Sequence, residues 1–93
     1  MSFFTVGKQC GYVLAGDFNV GKNIFSNGER LEIFNGLKKN IQITKEDVES
    51  YTVKAANING FGATRIEIVF KDERKILVEL DKLGTSVLEK IMF

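Results

Sequence analysis

The chain has 93 residues, eight of them Phe, and 13 basic against 12 acidic side chains leave a formal net charge of +1. This length fits one domain over 1–93 with a modest core, and the interleaved charges argue against the broad basic face that attracts nucleic acid or an anionic membrane. Histidine is absent and Cys10 is the one cysteine, so the commonest general base and metal ligand is missing, no disulfide framework exists, and neither a metal nor a cofactor is expected.

Glycine must make the reversals, because proline is absent while Gly occurs nine times. Three Asn-Gly pairs, Asn27-Gly28, Asn35-Gly36 and Asn59-Gly60, stand between short apolar runs. Asn-Gly accepts positive φ at both central turn positions, so each pair predicts a reversal between antiparallel strands. In chain order, residues 3–6 are a candidate early strand, 12–15 form an apolar run, and short strands follow at 23–26, 30–34 and 40–43. A strand over 50–55 sets Tyr51 and Val53 on one face, and the strongest strand patterns cover 64–70 and 75–80.

A slip of one residue turns a strand inside out, so parity constrains register. A two-residue Asn27-Gly28 turn pairs Ile24 with Leu31 and Phe25 with Arg30, gathering Ile24, Leu31 and Ile33 on one face. Matching Phe70 to Ile76 leaves Asp72, Glu73 and Arg74 in the loop and sets Val69 directly opposite Leu77 on the outer face. In the tail, Leu83, Val87, Leu88, Ile91 and Met92 share one helical stripe. Asp81 is a candidate N-cap, whereas Ser86 with Glu89 fits a capping box that starts the helix late, after Gly84. The expected class is α+β, mainly β: a curved antiparallel sheet or half-barrel of about six to seven strands capped by one C-terminal helix.

Several segments imitate chemistry. Gly16, Gly21 and Lys22 have P-loop spacing after an apolar run, but Asn23 replaces the Ser or Thr that holds magnesium, and Asn27-Gly28 arrives where a helix is needed. A glycine-bounded strand connection is the favoured reading. Cys10 has only Lys8 nearby to activate it, which favours a plain small residue at a strand start. Glu46, Asp47, Glu49, Asp72 and Glu73 fall in or beside turns among lysines, which favours solvated charge. Lys22, Lys38 and Lys39, with Lys54, Phe25 and Tyr51, suggest a patch for an anion or for single-stranded nucleic acid, yet the interspersed acids favour an ordinary hairpin surface.

Two apolar features carry partner expectations. Val69 and Leu77 form an exposed outer pair in the expected register, unless Phe3 and Phe4 fold over them, and Phe34 raises the same question on its own strand. The loop Asn57-Ile58-Asn59-Gly60-Phe61-Gly62 offers Ile58 and Phe61 at its tip.

Seven or so short antiparallel strands followed by a helix resemble the pleckstrin-homology-like (PH-like) fold in its small bacterial versions. The similar part runs from about Gly21 to Phe93 and includes Ile41-Gln42-Ile43-Thr44-Lys45-Glu46-Asp47-Val48-Glu49-Ser50-Tyr51, then Phe70-Lys71-Asp72-Glu73-Arg74-Lys75-Ile76 and the tail helix. Lipocalin-like and tubby-like half-barrels share these patterns. The resemblance implies a binding module that offers loops, a sheet edge or an outer face. It does not bring phosphoinositide binding with it, because the first-hairpin segment 16–23 supplies Lys22 alone, near Asp17.

The leading expectation is a non-enzymatic interaction or scaffolding module, prokaryotic or phage-like in style, that binds a protein partner or itself through a strand edge or the Val69/Leu77 face. A binder of ligands or anionic surfaces using the first-hairpin loop comes second, and a small hydrolase last. The lone cysteine, the absence of a signal-peptide pattern in residues 1–8 and the absence of an apolar run near the ~20 residues that span a bilayer point to a cytoplasmic setting.

Overall fold

The computed structural model describes residues 7–93; the candidate strand at 3–6 and the cover by Phe3 and Phe4 lie outside them. Seven strands precede one helix: β1 (Lys8–Gly16), β2 (Asn23–Ser26), β3 (Leu31–Ile33), β4 (Ile41–Ile43), β5 (Val48–Ala55), β6 (Thr64–Phe70), β7 (Lys75–Leu80) and α1 (Lys82–Met92). All pair antiparallel in one curved sheet, ordered β4-β3-β2-β1-β7-β6-β5, so among the described residues β4 and β5 are its edges.

Alternation decides the two faces. β6 turns Ile66, Ile68 and Phe70 inward, and β7 turns Ile76, Val78 and Leu80 inward. Ile66 stands opposite Val78 and Ile68 opposite Ile76, pairs of β-branched side chains that each stabilise the sheet by about 0.2–1 kcal/mol. Ile24, Leu31 and Ile33 are fully buried on the same inner face. β1 serves both halves of the sheet, and irregularities between Gln9 and Gly11 and between Val13 and Ala15 bend it. At Gly11 the strands come so close that a side chain would strike the Glu79 carbonyl.

Both expected hairpin registers are off by two residues, which preserves parity. In the first, Ile24 faces Ile33 and Phe25 faces Glu32, leaving Asn27 to Arg30 in the turn. Side-chain hydrogen bonds widen that turn: Ser26 Oγ accepts from the Gly28 N–H at 3.0 Å, and Asn27 Oδ1 accepts from the Glu29 N–H at 2.9 Å. In the second, Val69 faces Lys75, and Leu77 faces Glu67. The Phe70 N–H donates to the Arg74 carbonyl at 2.8 Å, Glu73 takes φ 77°, and Asp72 Oδ1 accepts from the Arg74 N–H at 3.1 Å. The three-residue loop is therefore Lys71, Asp72 and Glu73, and Val69 and Leu77 are not directly opposed.

The helix begins at Lys82, not after Gly84. Asp81 is its N-cap, with Oδ1 accepting from the Gly84 N–H at 2.9 Å, a bond worth about 1 kcal/mol. Gly84 belongs to the first turn for a packing reason: a Cβ there would lie 3.0 Å from the Cys10 carbonyl oxygen and 3.0 Å from the Leu80 side chain. Val87 and Leu88 are buried, and Leu83, Ile91 and Met92 pack against the core. Lys90, in the last turn where a cation suits the helix dipole, donates to the Gly28 carbonyl at 3.1 Å.

Candidate binding surface

Strand β5 is an eight-residue edge, whereas β4 is three residues long. Among the described residues β5 pairs on one side only, with β6. Tyr51 faces Ile68 and Val53 faces Ile66, so both lie on the inner face of the sheet. The helix does not cover this margin: Val53 is 52 % exposed. The Phe93 ring meets Tyr51 edge-on, with centroids 6.5 Å apart, and is itself exposed. The margin therefore offers unpaired peptide groups beside an apolar row. Irregularities between Val48 and Ser50 and between Val53 and Ala55 leave 50–53 as its regular stretch.

The loop from β5 to β6 holds itself in shape. The Gly62 N–H donates to Asn57 Oδ1 at 2.8 Å, the Phe61 N–H to Asn59 Oδ1 at 2.9 Å, and the Ile58 N–H to the Ala63 carbonyl at 3.0 Å. Asn57 and Gly60 take left-handed φ values of 52° and 77°, which Asn and Gly accept. Phe61 stands 81 % exposed on this frame, with Ile58 exposed beside it.

At the opposite end, the connection over 17–22 meets the connection over 34–40. Asn19 Nδ2 donates to the Phe34 carbonyl at 3.0 Å and to Asn35 Oδ1 at 3.1 Å. The two connections carry exposed Val20, Phe34 and Leu37 together with exposed Lys22, Lys38 and Lys39. Lys22 of the first connection and Phe34, Lys38 and Lys39 of the second thus share one end of the sheet. Leu37, fully exposed, was missed; its position just after Asn35-Gly36 and before two lysines is the signal that a turn tip would carry it.

Beside this end, Phe18, Ile41, Phe70, Asp47, Lys71 and Arg74 line an open cleft of about 460 Å³. Phe18 packs on Phe70 at 5.5 Å, and the Arg74 guanidinium lies 4.4 Å above the Phe18 ring. Arg74 Nε also donates to Asp72 Oδ2 at 2.8 Å. The Arg74 backbone N–H and then its guanidinium hold the Asp72 carboxyl below the usual range. The arginine is thus occupied by an aromatic face and a carboxylate.

The remaining candidates take plain structural places. In the P-loop-like segment the Gly21 N–H donates to the Val13 carbonyl at 2.8 Å, and β2 follows directly from Asn23; no helix N-terminus stands there to meet a phosphate. Cys10 is 2 % exposed, and burial, then the Asp81 charge, pushes its thiol up to about 12. Val69 and Leu77 are half-buried on the outer face, where Arg65 and Glu79 pair at 3.3 Å and Lys54 and Glu67 at 3.8 Å. Among the described residues no group of His, Cys, Asp or Glu is placed to hold a metal, and no helix is long and apolar enough to cross a membrane. Compared with known proteins, the chain matches no family, no curated protein and no solved structure.

Proposed function

We propose that this chain is a non-enzymatic protein-interaction module that accepts an extended segment, from a protein partner or from another copy of itself, along β5. One observation carries the reading: among the described residues a long sheet edge lies open beside Tyr51, Val53 and Phe93. Strand addition to such an edge takes affinity from main-chain hydrogen bonds and specificity from the alternate side chains next to them. The meander of strands capped by a C-terminal helix supports a PH-like assignment, which is a binding scaffold. The hydrolase reading draws no support from Cys10, whose thiol is buried and protonated at neutral pH. A Val53→Asp variant tests the edge, since it adds charge to an exposed apolar position without touching the core. Partners recovered from native lysate with the parent protein should be lost with the variant, at unchanged circular dichroism. Equal recovery by both removes β5 as the docking edge.

A second reading rests on the knitted connections: exposed Val20, Phe34 and Leu37 amid Lys22, Lys38 and Lys39 suit the boundary of an anionic bilayer. It predicts salt-sensitive binding to vesicles containing phosphatidylglycerol, weakened by Leu37→Ser. No sedimentation with such vesicles at low salt eliminates it.

A further inference from the structure

We infer that the segment β5 accepts is β5 of a second copy, running antiparallel about a two-fold axis at Thr52. The inference rests on the strand-docking reading above and adds the identity and register of the partner. Its starting point is the mismatch between the two sheet edges. β4 has three residues and β5 has eight, so the longest edge available to match β5 in an identical molecule is β5 itself.

Symmetry then restricts the register. Two half-barrels joined edge to edge by a two-fold axis perpendicular to the sheet keep their inner faces on the same side. An inner residue must therefore oppose an inner residue, which requires the axis to pass through a residue and not between two. Five centres remain over residues 50–54, and centring on Ser50 sets Tyr51 against Glu49, an aromatic side chain against a carboxylate. Centring on Tyr51 sets Val53 against Glu49, an apolar side chain against a carboxylate. Centring on Val53 sets Tyr51 against the small Ala55. Centring on Lys54 sets two ammonium groups directly opposite, which is unfavourable. Centring on Thr52 sets Tyr51 against Val53 twice and Thr52 against Thr52. No like charges meet within the regular stretch 50–53. Aromatic with β-branched, and Thr with Thr, are the favourable cross-strand pairs. The Tyr51 and Val53 rows then join into one apolar strip with Phe93 next to each Tyr51.

The irregularities near both ends of β5 confine regular pairing to its centre. The contact is accordingly small and falls in the weak, transient class. It is also closed, because a two-fold pair consumes β5, the one long edge among the described residues of each copy, and leaves the short β4 edges outside. The expected assembly is a dimer and not a fibre.

Cysteine cross-linking reads the register. Residues directly opposite in an antiparallel pair have Cα atoms about 4.5–5.5 Å apart, within disulfide reach. Single substitutions Tyr51→Cys, Thr52→Cys and Val53→Cys are compared under mild oxidation; Cys10 stays in place because it is buried and unreactive. Thr52→Cys should form covalent dimer fastest, by at least tenfold, and sedimentation of the unmodified chain should show a concentration-dependent monomer–dimer equilibrium. Faster cross-linking by Tyr51→Cys or Val53→Cys, equal rates for all three, or a strictly monomeric chain up to millimolar concentration each overturns the inference. The Val53→Asp comparison in native lysate separates this failure from that of the reading beneath it. A monomeric chain that recovers a different protein, lost with Val53→Asp, keeps strand docking and rejects self-pairing; no such recovery together with no dimer rejects both.

Discussion

Replacing Gly84 by alanine sets two measurable effects against each other. In the interior of a helix, Ala is better than Gly by about 0.8–1.0 kcal/mol. Gly84 lies in the first turn of α1, so propensity alone predicts a more stable protein. The added methyl, however, would stand 3.0 Å from the Cys10 carbonyl oxygen and 3.0 Å from both Cβ and Cδ2 of Leu80. The carbonyl is fixed, because it accepts the Asp81 N–H at 2.8 Å, and Leu80 is fully buried. Relief requires the helix to lift by a few tenths of an ångström from β1 and β7, and overpacking of this kind costs typically about 1–3 kcal/mol. The packing cost exceeds the propensity gain, so Gly84→Ala should be destabilised by about 1 kcal/mol net. For a chain of this size that is a fall in Tm of roughly 4–8 °C. Ser86→Ala is the control: Ser86 is exposed in the same helix, and alanine there should add up to about 0.7 kcal/mol. Urea melts of the three proteins supply the comparison. Stabilisation of Gly84→Ala to the same degree as Ser86→Ala would show that the helix is not seated against the Cys10 carbonyl.

Asp81→Ala removes the side-chain acceptor of the Gly84 N–H and should cost about 1 kcal/mol in a urea melt, whereas a helix starting after Gly84 would make the change nearly silent. Leu77 faces Glu67, so Leu77→Lys should be more stable than Leu77→Asp by about 0.5–1 kcal/mol; equal stabilities would refute that register. For Cys10 the folded thiol sits near 12 against 9.0 in an open chain, so the unfolded state releases its proton first as pH rises. The stabilisation is whole below pH 9 and is lost between about 9 and 12, by up to roughly 1.4 kcal/mol per pH unit. Unfolding titrations of the parent and of Cys10→Ala should therefore converge across that window, and parallel curves would refute the buried, protonated thiol.

The strand pattern was legible because inner and outer positions obey parity. Ile24, Leu31 and Ile33, and Ile66, Ile68, Ile76 and Val78, are buried as their alternation requires, even though both hairpins pair two residues away from the simplest turn. What stayed hidden was turn chemistry: the Ser26, Asn27 and Asp72 side chains each take a backbone N–H and so choose the loop. Gly84 misled in the same way, since a glycine reads locally as a helix boundary while its cause is a carbonyl about 70 residues earlier in the chain. Of the candidate surface, the exposure of Ile58 and Phe61 followed from their Gly-rich loop. The openness of Val53 did not, because sequence alternation assigns a face and says nothing about which edge of a sheet the helix leaves bare.

The central position of β1 also fixes an order of events during biosynthesis. Val13 finds its neighbour Val78 on the other side of the sheet, so β1 must wait for β7. Until then β1 to β4 can form no more than a meander lacking β7 on its inner margin, with Cys10 and Val13 short of the helix and strand that bury them. Such nonlocal closure is slow and leaves adhesive margins open meanwhile. The sheet therefore closes only once β7 has been made, and the interval before closure is when β1 to β4 are most exposed to proteases and to chaperone capture.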